Sequence, residues 1–155
     1  MTRIYTLAFT LAHHLIEVYR RIFRPVTVGV RIMLLKDERI LLVRHTYMDT
    51  DSWYFPGGGL NRGETMEQAA RREAWEETGV IVKDIQLVGI FTLPDSYNTN
   101  HNILYASTAY EEPGKDRPAP HSHEIAACQA FSIHELPVNM AAGQTAQLAE
   151  FLKNK

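Results

Sequence analysis

Cysteine is nearly missing from this chain. Of 155 residues only Cys128 carries a thiol, so no intramolecular disulfide can brace the fold, and a reducing compartment such as the cytoplasm is the expected location. A surplus of basic charge is also missing: 16 Lys and Arg stand against 18 Asp and Glu, a net charge of −2, which leaves no electrostatic footprint for a long nucleic acid. There is no internal repeat, no low-complexity tract and no nucleophile motif, so covalent catalysis is not expected. Nor is there a clean apolar run for a signal peptide. Residues 3–24 come nearest, but His13, His14 and Glu17 interrupt them and no small-residue cleavage site follows.

Those residues have the pattern of an amphipathic helix, with Ile4, Leu7, Leu11, Leu15, Val18 and Ile22 recurring every three or four positions. Arg20, Arg21 and Arg24 gather at its end, where cations suit the helix dipole, and Pro25 stops it. The expectation is a helical extension over 1–24 packed on its own domain or on a second subunit of a homodimer, with membrane contact the lesser reading. His13 and His14, adjacent in sequence, point to different sides of a helix and are poor joint metal ligands.

The remainder, 25–155, is long enough for one domain with a real core, and the 45% hydrophobic and 22% charged residues of the whole chain are a soluble globular composition. Its organising stretch is 58–80. A Gly-rich entry after Phe55 and Pro56 breaks the preceding extended run, and from Thr65 the residues favour helix until Gly79, with Thr65 or Glu64 near the start and Gly79 just past the end. Met66, Ala70 and Ala74 form an inward stripe at i+4 spacing. On another face Glu73, Glu76 and Glu77 stand at i, i+3 and i+4, where like charges repel by a few tenths of a kcal/mol per pair. Such a concentration calls for a counter-charge. A hard divalent cation, Mg²⁺ or alternatively Mn²⁺, supplies one, because it is held by carboxylates together with substrate phosphates and water. Arg72, four before Glu76, is placed to orient that carboxylate.

These residues resemble the Nudix box: Gly, five residues, Glu, seven residues, then Arg-Glu-U-x-Glu-Glu-x-Gly-U with U a bulky aliphatic. Here the positions are Gly58, Glu64, Arg72, Glu73, Ala74, Glu76, Glu77, Gly79 and Val80, and only Ala74 departs, being smaller than the pattern prefers. Seven fixed positions, each matched by chance about once in ten to twenty, make accident on the order of one in ten million or rarer. The resemblance implies an α/β fold, a Nudix-type α/β/α sandwich with a mixed central sheet. It implies Glu73, Glu76 and Glu77 as metal ligands, Glu77 or Glu124 as the group that activates water, Arg72 as holder of a glutamate and Glu64 as support for the metal face. It implies hydrolysis of a P–O–P bond in a nucleoside diphosphate linked to another moiety, a small-molecule nucleotide.

Around the box, 26–35 and 39–44 read as a hairpin turning at Lys36, Asp37 and Glu38. Arg44 is a candidate for a phosphate, Trp53 and Tyr54 for stacking on a base, and the backbone of Gly57, Gly58 and Gly59 for close approach to a phosphate. After the helix, 81–93 and 103–110 read as extended, joined by a polar loop that contains Tyr97. Residues 111–123, with three prolines and a glycine, read as a connection; His121 and His123 on it are alternative proton shuttles. Residues 124–131 read as a strand with Cys128 buried, and 143–152 as a terminal helix with Ala146, Leu148 and Phe151 or Leu152 inward.

Two spacings within the resemblance bear on substrate. Pro94, 15 residues after Gly79, resembles hydrolases of ADP-ribose and nucleotide sugars; Tyr97, 17 after Val80, resembles those of dinucleoside polyphosphates. The order of expectation is ADP-ribose or a nucleotide sugar, then a nucleoside triphosphate, then a dinucleoside polyphosphate or RNA 5′ end. A nucleotide-binding module without hydrolysis, and an isomerase using the same metal helix, are the other classes; intact glutamates and the lack of a cysteine near the box count against them.

Overall fold

The structure, a computed structural model, describes residues 14–16, 18–19, 21–23, 26–47, 51–94, 99–112 and 124–154. Strand β1 (Val26–Lys36) is its spine. Side chains alternate across a strand, and β1 uses both faces: Val30, Ile32 and Leu34 point one way, Met33 and Leu35 the other, all buried. Asp37 and Glu38, both at positive φ (51° and 56°), fold it back into β2 (Arg39–His45), the double left-handed turn that matches the twist of a two-residue hairpin.

The remaining strands are β3 (Gly57–Gly59), β4 (Ile81–Val82), β5 (Gln86–Pro94), β6 (Thr99–Ser107), β7 (Tyr110–Glu111) and β8 (Ile125–Ser132). The main sheet runs β5-β6-β1-β2-β8, with β3 paired to β1 as well. It is mixed: β1 and β6 are parallel, the other pairs antiparallel. β4 and β7 form a small separate pair. The expected single extended run over 81–93 is thus two strands, broken after Val82 where the chain leaves one sheet for the other.

Helix α1 (Met66–Thr78) covers one face. Thr65 caps it through the Gln68 backbone N–H while the Gln68 side chain accepts from the Thr65 N–H, and Gly79, left-handed at φ 74°, ends it. Ala69, Ala70 and Ala74 are fully buried against Val30, Ile32, Leu34 and Ile103, small enough to bring the helix close to the sheet. Met66 is exposed, against the expected stripe, because each i+4 step rotates the face by about 40° and carries the first residue off the sheet. Helix α2 (Gln144–Lys153) covers the other face and buries Leu148 with Met33, Leu35, Trp53, Phe55 and Leu104. Gln144 is buried as well, its Oε1 accepting the Phe55 N–H, whereas Ala146, half a turn from Leu148, is exposed. The architecture is therefore α/β/α.

Cys128 lies in β8 as expected but is exposed, β8 being an edge strand of the sheet. The described residues between 14 and 23 are helical, and Leu15, Val18 and Ile22 among them are exposed. Ile4, Leu7 and Leu11 lie outside the described residues. Among the described residues no helix is long and apolar enough to cross a membrane.

Candidate active site

The glutamates of α1 meet the glycine strand β3 at one end of the sheet. Gly57 has no room for a side chain: a Cβ there would lie 2.1 Å from the Val30 carbonyl oxygen, so only glycine lets β3 lie this close to β1. Its N–H donates to Glu77 Oε2 at 2.9 Å. At Gly58 a Cβ would fall 2.5 Å from Glu73 Oε1, so the missing side chain makes the space that Glu73 fills.

Arg72 organises the rest. Its Nε and Nη2 donate to the two oxygens of Glu64 at 2.9 and 3.0 Å, its Nη1 to Glu73 at 2.7 Å and Glu76 at 2.9 Å, and Nη2 also to the Gly59 carbonyl at 2.9 Å. Every arm of the guanidinium is used. Glu64 is held below the usual carboxylate range by these hydrogen bonds, and Arg72 is raised in turn.

Burial works against the two inner carboxylates, Glu73 and Glu77. Burial pushes Glu73 up, opposed by Arg72 and reinforced by the charges of Glu76 and Glu124. Burial pushes Glu77 up to about 8, with Glu73 and Glu124 adding to the shift against the Gly57 hydrogen bond and Arg31. His45 Nδ1 stands 3.9 Å from Glu77 Oε1 but forms no ion pair at neutral pH, because burial and then Arg31 hold His45 neutral, down to about 4. Tyr47 is pushed up to about 12 by burial and by the charges of Glu124, Glu77 and Glu73. A bulge between Arg44 and His45 turns the strand end here, and the Glu124 carbonyl accepts the Thr46 N–H at 2.8 Å, which brings Glu124 to the same end.

Among the described residues no three His, Cys, Asp or Glu side chains form a ready metal-ligand cluster. Arg72 is bonded to Glu73 and Glu76, while Glu77 turns to Gly57 and His45. The donor set nevertheless fits a hard cation: it is all oxygen and crowded with negative charge, and two of its members are lifted, by burial first and by the neighbouring carboxylates second.

Beside the glutamates opens a cavity of about 250 Å³ lined by Gly57, Gly58, Gly59, His45, Tyr47 and Tyr54 among others. The candidates Trp53 and Arg44 are elsewhere. Trp53 is buried edge-on against Phe131 in the core under α2, and the Arg44 guanidinium stands over the Trp53 ring at 5.5 Å. Tyr97, His121 and His123 lie outside the described residues. Sequence reasoning passed over Arg31 and Asn102, which also line the cavity. The signal for Arg31 was present: a lone charge inside an otherwise apolar strand, VTVGVRIMLL.

A glycine strand against a helix bearing this glutamate pattern, on an α/β/α mixed sheet, defines a family, and a NUDIX domain matches residues 24–154. The chain belongs to the Nudix hydrolase family. It is 37% identical over 86 residues to an ADP-ribose pyrophosphatase of Methanocaldococcus jannaschii, covering 55% of this chain and 50% of that protein. It is 31% identical over 129 residues to an NAD-capped RNA hydrolase of Vibrio parahaemolyticus, covering 83% of this chain and 46% of that protein. The match thus spans about half the length of these relatives. The crystal structure of a MutT NUDIX hydrolase from Burkholderia pseudomallei superposes with a TM-score of 0.71 at 23% identity, covering 81% of this chain and 97% of that one, a likeness of fold.

Proposed function

We propose that the protein is a metal-dependent pyrophosphohydrolase that cleaves the P–O–P bond of a nucleoside diphosphate linked to another moiety, with ADP-ribose or a nucleotide sugar first. The observation that carries this is the set of Glu73, Glu76, Glu77 and Glu124 gathered at one end of the sheet with Arg72 already committed to three carboxylates. Glu73, Glu76 and Glu77 would hold Mg²⁺, or Mn²⁺, which when bound neutralises phosphate charge and acidifies a coordinated water. Glu77 or Glu124 accepts the proton of the attacking water, the water oxygen bonds to phosphorus, and the bond to the bridging oxygen breaks. Arg72 keeps Glu73 and Glu76 in place, and Glu64 keeps Arg72 in place. The open backbone of Gly58 and Gly59 and the ring of Tyr54 border the cavity that would receive the nucleotide.

ADP-ribose is supported by the names of two relatives, since ADP-ribose and an NAD cap share an adenosine diphosphate unit. An RNA 5′ end is the second reading, supported by an RNA pyrophosphohydrolase of Histophilus somni that is 41% identical over 66 residues. Cytoplasmic residence belongs to the same proposal. So does a homodimer through the 1–24 extension, whose exposed Leu15, Val18, Ile22 and Phe23 a second copy would cover. Glu76→Gln tests the site: turnover should vanish while the melting temperature and circular dichroism stay those of the wild type, and near-full Mg²⁺-dependent activity would remove the assignment.

A further inference from the structure

Two arginines approach the glutamates, and they differ in one respect. Arg72 spends all its donors on carboxylates and a carbonyl. Arg31 does not. Among the described residues its hydrogen bonding is a single long contact, Nε to Asn102 Oδ1 at 3.4 Å, and no carboxylate pairs with it. Its guanidinium lies over the Tyr54 ring at 5.8 Å. Burial presses its pKa down, and only the more distant fields of Tyr54 and Glu77 oppose this. Arg31 is half-buried at the cavity wall, and most of its five N–H groups meet no acceptor among the described residues, so they are available to a ligand that enters the cavity.

Asn102 is the second half of the arrangement. It is 6% exposed, and because its Oδ1 faces Arg31 Nε, its Nδ2 is fixed as a donor; that atom is buried with no hydrogen-bond partner. Gly29 makes the amide's position available, since a Cβ there would meet Asn102 Oδ1 at 3.2 Å. Two side chains thus present donors and no acceptor. The matching ligand group brings several acceptor oxygens and negative charge together. A phosphoryl group does so in the planar geometry a guanidinium fork prefers, whereas a neutral base edge would leave the charge of Arg31 unbalanced.

Position agrees with chemistry. Arg31, Tyr54 and Asn102 line the cavity beside Gly57–Gly59, and the same three line a second cavity of about 280 Å³ bounded by Ser52, Ala141, Gln144 and Gln147. Each cavity alone is below the roughly 300 Å³ at which ligand sites begin, and a nucleotide that extends from the glutamates into the second must pass this common wall.

We propose that Arg31, held by Asn102 and Tyr54, is a phosphoryl anchor distinct from the carboxylate site, and that it sets the pocket's preference for a nucleotide over the corresponding nucleoside. The assignment rests on the reading of the cavity as a nucleotide-hydrolase pocket. The test is calorimetric binding to the full chain in EDTA, with AMP, GMP, CMP and UMP each compared with its own nucleoside, so that no metal contributes. The wild type is expected to bind at least one monophosphate about tenfold or more tighter than its nucleoside. Arg31→Gln brings the two affinities together, and Arg31→Lys, which keeps the charge but not the fork, falls between. If Arg31→Gln does not fold, Asn102→Asp decides, because a carboxylate placed beside Arg31 ties up its guanidinium and removes the preference. No preference in the wild type, or a preference that survives in the folded variants, overturns the anchor. Turnover separates this from the hydrolase reading. An Arg31-dependent preference in a chain that hydrolyses nothing leaves the anchor standing and removes the hydrolase; turnover without that preference does the reverse.

Discussion

Gly58 and Glu73 occupy one space: a Cβ built on the glycine would lie 2.5 Å from Oε1 of the glutamate and 2.7 Å from its Cδ. The backbone at Gly58 has no positive φ that would demand glycine, so what glycine supplies at this position is room for the carboxylate. Gly58→Ala should therefore fold, with a melting temperature near that of the wild type, while Glu73 swings out of line. Misplacement by about 1 Å is worth about 100-fold in rate, and a drop of that order in kcat/KM is the expected result. An alanine variant of normal activity would show that Glu73 is not needed where it stands.

Arg72 reaches three carboxylates through separate nitrogens, which a lysine cannot imitate. Arg72→Lys is expected to weaken the apparent Mg²⁺ affinity, read from the metal dependence of turnover, by about 10- to 100-fold, as loss of groups that orient metal ligands does. Arg72→Ala, which also leaves Glu73 without its cation, should lower the melting temperature as well. Equal metal dependence in wild type and lysine variant would contradict the positioning role.

Glu77 gives a pH signature in the metal-free protein. Its folded pKa, about 8, lies above the unfolded value near 4.5, so the folded state binds the extra proton and its stability falls as pH rises between the two. His45 works in the opposite sense: neutral in the fold down to about 4, it contributes stability that is lost as pH falls below its ordinary value of 6.5. Glu77→Gln removes only the first effect. In EDTA the variant should melt above the wild type by a margin that grows from pH 5 to pH 8, followed by thermal denaturation at each pH. A margin that is constant or shrinks would mean that the Glu77 carboxyl is not stressed by its surroundings.

How much of this was legible in the residues depends on whether a signal was local. Helix α1 was readable because its cap, its terminal glycine and its glutamate spacing all lie within one stretch, and the hairpin because two buried strands flank a polar turn. The Met66 and Ala146 positions were misjudged because an i+4 stripe says which residues share a face, not where along the helix the sheet ends. Cys128 was misjudged because strand order in a sheet is a long-range property: nothing in its neighbours says that β8 is an edge. The same holds for the cavity wall. Arg31 and Asn102 lie 71 residues apart and meet only because β1 and β6 run parallel side by side, with Gly29 opposite Asn102 and Arg31 opposite Leu104. Trp53 and Tyr54 are adjacent in sequence, and the alternation of an extended chain sends one into the core and the other to the cavity.

The most direct measurement is Mg²⁺-dependent turnover across ADP-ribose, nucleotide sugars, dNTPs, dinucleoside polyphosphates and 5′-triphosphate RNA, with products identified by mass and EDTA and Glu76→Gln as controls. The expected result is one preferred substrate split at a P–O–P bond into two phosphate-bearing products, with ADP-ribose or a nucleotide sugar in the lead and no product in either control. Binding of these compounds without any metal-dependent cleavage would contradict the central claim and make the protein a nucleotide-binding module on a hydrolase fold.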